Sequence, residues 1–380
     1  MSVGVGVIGC GNISEVYLVN AKLFRDIRVV ACADIDAEAA KRQADRHGVI
    51  APSVADLLKR DDVDVVLNLT IPEAHAEVSL AALEAGKHVY SEKPLATTVA
   101  DGERILAAAE QRRLRVGAAP DTILGAGCQT ARRAIDAGKI GRPLSAVAAI
   151  MSHGMEHWHP NPGFFFRKGA GPVLDMGPYY VSALVSLLGA VSSVQAVANI
   201  GFAERVVSTP SSKLLGQTIR VETLTSVQAL LEFASGAQAT FLASWDVWKH
   251  SLPPIELHGE IASLRLPDPN WFGGRVEIAE GRDGWRAIST RGEPFSAANW
   301  PLSKPAHANY RGLGLAEMAR AIVEGRPHRA GGKLALHALA VMTGMLEAAA
   351  EGRKVVIAVP CERAAPLTRR EAKSLLKGSD

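Results

Sequence analysis

Over the first ~120 residues, short apolar runs rich in β-branched residues alternate with Ala-rich stretches of helical period. Val3–Ile8, Val29–Ala33, Val63–Leu69, His88–Tyr90 and Arg115–Gly117 read as strands. Ile13–Phe24, Ala37–His47, Val54–Lys59, Ala74–Glu84 and Val99–Arg112 read as helices between them, and Gly86 supplies a C-terminal stop for the fourth. That alternation predicts βαβ units around a parallel sheet. Past Pro120 the rhythm changes. A helical stretch Gln129–Ala137 leads into the apolar run Leu144–Met151, then a His/Gly/Pro-rich loop over His153–Pro172 and a helix over Pro178–Leu188. Val191–Phe202, Thr223–Phe233, Ala237–Ser244, Ile255–His258 and Val276–Ile278 follow as strands without intervening helices, which predicts a mainly antiparallel open sheet. Helices over His307–Glu324 and Leu334–Glu351 close the pattern. The reading is a two-domain chain, an α/β domain over 1–120 and an α+β domain over 121–380.

Composition fits this division. A chain of 380 residues, 48% hydrophobic, can bury two cores. The formal charge of +3 is spread without a basic block, so no nucleic-acid partner is expected. No stretch approaches bilayer-spanning length without charge or Gly/Pro interruption, so no membrane partner is expected either. Cys10, Cys32, Cys128 and Cys361 show neither metal nor redox spacing. With a strand-like start at Val3 rather than a signal peptide, the expected location is cytoplasmic.

Gly9-Cys10-Gly11-Asn12-Ile13-Ser14 follows the first strand and opens the first helix. The first Gly permits a tight turn, the second lets backbone approach a pyrophosphate, and free N–H groups at the helix start face that anion. Ser14 stands where this fingerprint wants Gly or Ala, and its hydroxyl is available to cap or to touch phosphate. Asp34, at the end of the second strand, is placed to accept hydrogen bonds from ribose hydroxyls and to repel a 2′-phosphate, so NAD is expected over NADP. A Gly-rich turn in another βαβ protein, including S-adenosylmethionine enzymes, is the competing reading.

Glu92-Lys93-Pro94 lies at the C-terminal end of a predicted parallel strand, the edge where ligands of open α/β sheets gather. With the Gly9–Ser14 turn, Asp34, Ile71-Pro72 with His75, and Asp175-Met176-Gly177, the chain resembles the glucose-fructose oxidoreductase / inositol dehydrogenase / rhizopine-catabolism (Gfo/Idh/MocA) family. The resemblance implies a Rossmann domain followed by an α+β domain whose sheet mediates homodimers or homotetramers. It implies an NAD(P)-dependent dehydrogenase or reductase of sugars, inositols or related polyols. By the same resemblance, Lys93 contacts the reacting hydroxyl or carbonyl, Glu92 and Pro94 shape the cofactor site, Ile71, Pro72 and His75 lie along the dinucleotide, and Asp175 faces substrate. The cofactor set is therefore Gly9, Gly11, Asn12, Ile13, Asp34, Ile71, Pro72, His75, Glu92 and Lys93.

Oxidising an alcohol requires a base, and burial beside a cationic pyridine ring is expected to lower the Lys93 pKa toward neutrality. Asp175 and Tyr179 are four apart and share a helical face if the helix starts early. Many relatives carry His at the position of Tyr179; a phenol is a poor base at neutral pH but a good donor, so proton transfer is expected to rest on Lys93 with Tyr179 orienting substrate. Asp175 as an N-cap with Pro178 in the first turn is the bland alternative. His153, His157, Trp158 and His159 are candidate contacts to sugar hydroxyls and ring faces, and Asp121 is another. The three histidines with Glu156 are compatible with a divalent ion, but hydride chemistry needs none, and no metal is expected. Trp245, Asp246 and Trp248 read as core or oligomer packing before substrate contact. Two other functions stay open: an NAD-dependent glycoside hydrolase using transient oxidation, and a non-catalytic NAD-responsive regulator on the same fold.

Overall fold

The computed structural model describes residues 2–301 and 306–378. Its first layer is a five-stranded parallel sheet of β1 (Val3–Ile8), β2 (Ile27–Ala33), β3 (Val65–Asn68), β4 (His88–Ser91) and β5 (Val116–Ala118), in the order β2-β1-β3-β4-β5. All six residues of β1 are buried, as expected of a strand covered on both faces. Helices α1 (Ser14–Ala21), α2 (Ala37–His47), α3 (Val54–Leu58), α4 (His75–Glu84) and α5 (Val99–Gln111) connect the strands. The strand order reverses at β1, which leaves a crevice outside the carboxyl ends of β1 and β3.

After α6 (Ala126–Asp136) the chain builds a nine-stranded sheet from β6 (Pro143–Met151), β7 (Val191–Asn199), β10 (Ser226–Phe233), β11 (Gln238–Ser244), β12 (Ile255–Gly259), β13 (Ala262–Leu266), β14 (Val276–Glu280), β15 (Arg286–Ile288) and β16 (Val355–Val356). β8 (Glu204–Val206) and β9 (Thr218–Arg220) form a separate hairpin. The large sheet is antiparallel except for β6 against β11. Alternating burial along β10 leaves one face of the sheet in solvent and packs the other on α7 (Pro172–Leu188) and α9 (Gly332–Glu351). Helix α9, 20 residues long with an 18-residue stretch of mean hydropathy 1.3, has the length and composition of a membrane span, but it lies between β7 and the α5–β5 edge of the first sheet.

Two helices begin elsewhere than the pattern predicts. α7 starts at Pro172, not Pro178, so Pro178 sits a full turn or more inside the helix. Its missing N–H costs one backbone bond, and the apolar burial of the helix outweighs that loss. α8 (Leu313–Glu324) starts six residues after His307, because the chain turns at Arg311-Gly312, with Gly312 at φ +101°, and side-chain hydrogen bonds hold Asn309–Arg311 off the helical path. A short last helix, α10 (Arg369–Ser374), is fixed by a Thr368/Glu371 capping box. It returns the chain to the first domain, where Leu375 O accepts from Arg25 N at 2.9 Å and Lys377 N donates to Leu23 O at 2.9 Å.

Candidate active site

The glycine turn stands at the crevice between β1 and β3. Gly9 has φ +102°, and a Cβ there would lie 2.5 Å from the Leu69 carbonyl, so only glycine fits. A Cβ on Gly11 would meet nothing within 4 Å. The open space above Gly11, with the uncapped start of α1, is what a pyrophosphate requires. Asp34 closes the other side: its Oδ2 accepts from Cys10 N at 2.6 Å and its Oδ1 from Asp36 N at 2.9 Å. Cys10, Gly11, Asn12, Asp34, Arg42 and Gln43 are among the residues lining an open pocket of about 500 Å³ here. Ile13 and Ile71 are exposed apolar side chains at the crevice. Residues and space thus fit a dinucleotide. The Ser14 hydroxyl is not available to phosphate: it is buried, donates to Gly11 O at 2.6 Å and accepts from Gln43 at 3.2 Å.

His75 does not face the crevice. Its ring is 1% exposed and its two nitrogens meet Pro94 O at 2.6 Å and Thr70 O at 3.0 Å. It ties the Thr70-Ile71-Pro72 loop after β3 to the Lys93-Pro94 turn after β4, and so holds two walls of the crevice in register. Glu92 is buried in a similar supporting role, accepting from the Tyr17 hydroxyl at 2.8 Å and from Lys93 N at 2.8 Å.

The Lys93 side chain reaches across to the first turn of α7, where Nζ donates to Asp175 Oδ1 at 2.9 Å and Asp175 O at 2.7 Å. Burial acts to lower the Lys93 pKa, but the charges of Asp175, Tyr179 and Glu92 and the Asp175 hydrogen bond outweigh it and raise it above the ordinary lysine value. The expectation of a Lys93 lowered by burial is therefore reversed. The reason is its partner: α7 starts early enough to place Asp175 against the amine.

Tyr179, one turn along α7, is 6% exposed, and Lys93 Nζ lies 5.4 Å from its ring centroid. Its hydroxyl accepts from Arg311 Nη2 at 3.1 Å. Arg311 also donates to Asn270 Oδ1 at 2.8 Å and Asn309 Oδ1 at 2.8 Å. The pattern-based helix over His307–Glu324 hid Arg311 as one more surface position; the Gly312-x-Gly314 spacing beside it was the available signal of a turn. Asp121, a candidate substrate contact, is instead 1% exposed, and its Oδ2 accepts from Gly312 N at 3.0 Å and Gly314 N at 2.9 Å at the start of α8. Burial is the largest influence on its carboxyl and, against those hydrogen bonds and Arg311, pushes it up to about 6.

The histidine-rich loop forms its own cluster. His153 stacks on Trp248 with ring centroids 3.3 Å apart, and both join His157, Phe202 and Arg205 around a pocket of about 230 Å³. Arg205 is buried, paired with Glu156 at 2.7 Å and with Asp246. Trp158 is half-exposed, its ring edge-on to His159. Among the described residues, no hydrogen bond or ring contact joins this cluster to Lys93, Asp175 or Tyr179. Trp245 is core, and Trp248 is 80% exposed in the single chain. Among the described residues no group of three or more His, Cys, Asp or Glu side chains could hold a metal ion.

Comparisons with known proteins agree with this architecture. A family model described as an oxidoreductase family with an NAD-binding Rossmann fold matches residues 3–119, and the GFO/IDH/MocA C-terminal domain matches residues 128–265. The chain is 33% identical to inositol 2-dehydrogenase 3 of Saccharopolyspora erythraea over 294 residues, 75% of this chain and 80% of the relative. It is 35% identical to 1,5-anhydro-D-fructose reductase of Ensifer adhaerens over 176 residues, 45% of this chain and 52% of that one. Among solved structures, levoglucosan dehydrogenase in complex with NADH and levoglucosan shares the fold with a TM-score of 0.79 at 22% identity, covering 94% of this chain and 100% of the other. By these matches and by the two-domain architecture they cover, the chain belongs to the GFO/IDH/MocA family of oxidoreductases.

Proposed function

We propose that the chain is an NAD-dependent dehydrogenase that exchanges hydride with a hydroxyl or carbonyl carbon of a sugar, inositol or sugar derivative. The observation that carries this reading is the Lys93–Asp175–Tyr179 group, set at the carboxyl edge of the parallel sheet beside the glycine cradle. Gly9, Gly11, Asn12, Ile13 and Asp34 would hold the dinucleotide, with Ile71 and Pro72 along its length. When bound there, its nicotinamide supplies the hydride acceptor or donor. Asp34 lines the cradle pocket, where its carboxylate would accept from a ribose hydroxyl and so supports NAD over NADP.

The chain's own residues divide the remaining work. Asp175 keeps Lys93 as an ammonium, so Lys93 binds the reacting oxygen and stabilises negative charge on it. Tyr179 then exchanges the proton with that oxygen. This moves the part of base from Lys93, where the sequence reading put it, to the phenol. The names of the relatives support the substrate class: they act on an inositol, an anhydro sugar and levoglucosan. The exposed sheet face, with Val197 and Leu230 67% and 56% exposed, supports self-association into a homodimer or homotetramer, measurable by sedimentation.

The test is nicotinamide absorbance with a panel of cyclic polyols and sugars. Turnover is expected with NAD, and Lys93→Met and Tyr179→Phe should each lower it sharply but to a measurable residue, with dinucleotide binding retained. Turnover by Lys93→Met at the wild-type rate would contradict the reading.

A further inference from the structure

Arg311 is the feature of the site that neither the sequence motifs nor the proposed chemistry accounts for. It is 8% exposed, and among the described residues its side-chain hydrogen bonds go to neutral groups: Asn309, Asn270 and the Tyr179 hydroxyl. A buried guanidinium whose hydrogen bonds reach no carboxylate is costly unless charges further off offset its desolvation. The segment that carries it is nevertheless tightly fixed. Asn20 of α1 donates to Asn309 O at 2.8 Å and to Arg311 O at 3.1 Å, and Asp121 holds the two glycines that follow. The fold thus invests in placing one cation against one phenol oxygen. Burial opposes the charge on Arg311, yet the nearby Tyr179, Glu92 and Tyr17 more than restore it, so the guanidinium stays charged. Its carbon centre lies 5.7 Å from the Tyr179 ring centroid, on a ring that Lys93 Nζ approaches at 5.4 Å.

We propose that Arg311 is a positioning residue for proton transfer: it orients the Tyr179 hydroxyl and stabilises the negative charge left on the phenol oxygen when its proton passes to the substrate. The inference rests on the reading of Tyr179 as proton partner. In the reducing direction, the hydride and its two electrons for the carbonyl carbon would be supplied by the reduced dinucleotide held in the cradle. The carbonyl π pair moves to its oxygen, the phenol O–H breaks, and a new O–H forms on that oxygen. The phenolate left behind keeps the Arg311 N–H bond until it regains a proton from solvent. Oxidation runs the same steps backward. A donor fixed on an oxygen where charge gathers acts in the water-poor site with little reorganisation.

The test needs no known substrate. The chain has five tyrosines, and burial raises the other four, Tyr17, Tyr90, Tyr180 and Tyr310. The tyrosinate absorbance step missing from Tyr179→Phe identifies Tyr179 by difference on the full-length protein. Arg311→Gln should move that step upward by about one pH unit, and Arg311→Lys, which keeps a cation, should return most of it. With any carbohydrate that turns over, Arg311→Gln should lower kcat about 10- to 100-fold with KM and NAD affinity little changed, and should add nothing in the Tyr179→Phe background. A step that stays in place in Arg311→Gln, or a kcat loss that is fully additive with Tyr179→Phe, would overturn the inference. A Tyr179→Phe enzyme with undiminished kcat removes instead the reading of Tyr179 as proton partner. Melting curves for Arg311→Lys keep a folding defect separate from either result.

Discussion

The two sides of the crevice are assembled in opposite ways. The cofactor side is local: Gly9, Gly11 and the start of α1 are adjacent in the chain, and Asp34 bonds Cys10 across 24 positions within one βαβ unit. The substrate side is remote: Lys93 meets Asp175 across 82 positions, and Tyr179 meets Arg311 across 132. Anion binding by backbone N–H groups needs a particular turn, which a short stretch of sequence can encode. Proton handling needs charges brought together at fixed distances, which only the tertiary fold supplies. The cradle should therefore fail through single backbone positions, and the substrate side through pairs.

The largest effect is expected from Lys93→Met, which should reduce kcat/KM about 10³-fold while isothermal titration still finds the dinucleotide bound. If binding disappears along with turnover, the two sides are not separable as described. Next comes the contrast of two glycines. Gly9→Ala should destabilise the fold by about 2–4 kcal/mol in urea melts, because its Cβ collides with the Leu69 backbone at positive φ. Gly11→Val should leave the melt within about 0.5 kcal/mol of wild type, since space surrounds it, and raise the dinucleotide Kd at least about tenfold. Equal melting of the two variants would break the distinction between a turn glycine and a ligand-facing one.

Asp121 gives a smaller and pH-dependent effect. Its carboxyl is raised from 3.8 to about 6 in the folded chain, so the protonated form is favoured by folding. The stability this contributes is fully present below about pH 4 and is lost as pH rises through about 6, a change on the order of 3 kcal/mol. Asp121→Asn should flatten that slope in melts taken across the window. A slope unchanged in Asp121→Asn would show that another group is responsible. Replacement of Asp34 by Ala is expected to have the narrowest consequence, about a tenfold fall in the preference for NAD over NADP, read from the ratio of the two kcat/KM values.

The same division explains what could be read before the structure. The parallel sheet and the cradle were legible because βαβ periodicity and glycine spacing are local signals, and the Glu92-Lys93-Pro94 turn was legible through the family resemblance its triplet carries. Asp121 was misassigned because a conspicuous Asp after a strand carries no mark of whether it faces a cleft or caps a helix that begins 192 positions later. The direction of the Lys93 shift could not be foreseen, since it depends on where α7 starts, and Pro178 concealed that start. Arg311 escaped notice for a related reason: helical period continued through Asn309–Gly312, whose non-helical path into the Arg311-Gly312 turn is set by Asn20 and Asn299 from distant segments.

The central claim is that Lys93, held charged by Asp175, binds the oxygen of a carbohydrate whose hydrogen passes to or from a dinucleotide in the Gly9–Gly11 cradle. It is tested most directly by a crystal of the Lys93→Met protein soaked with NAD and a sugar turned over by the wild type. The account predicts dinucleotide density over Gly11 and a sugar carbon facing C4 of the nicotinamide, with its oxygen directed toward position 93 and the Tyr179 hydroxyl. Sugar bound elsewhere, with its oxygen facing neither residue, would contradict it.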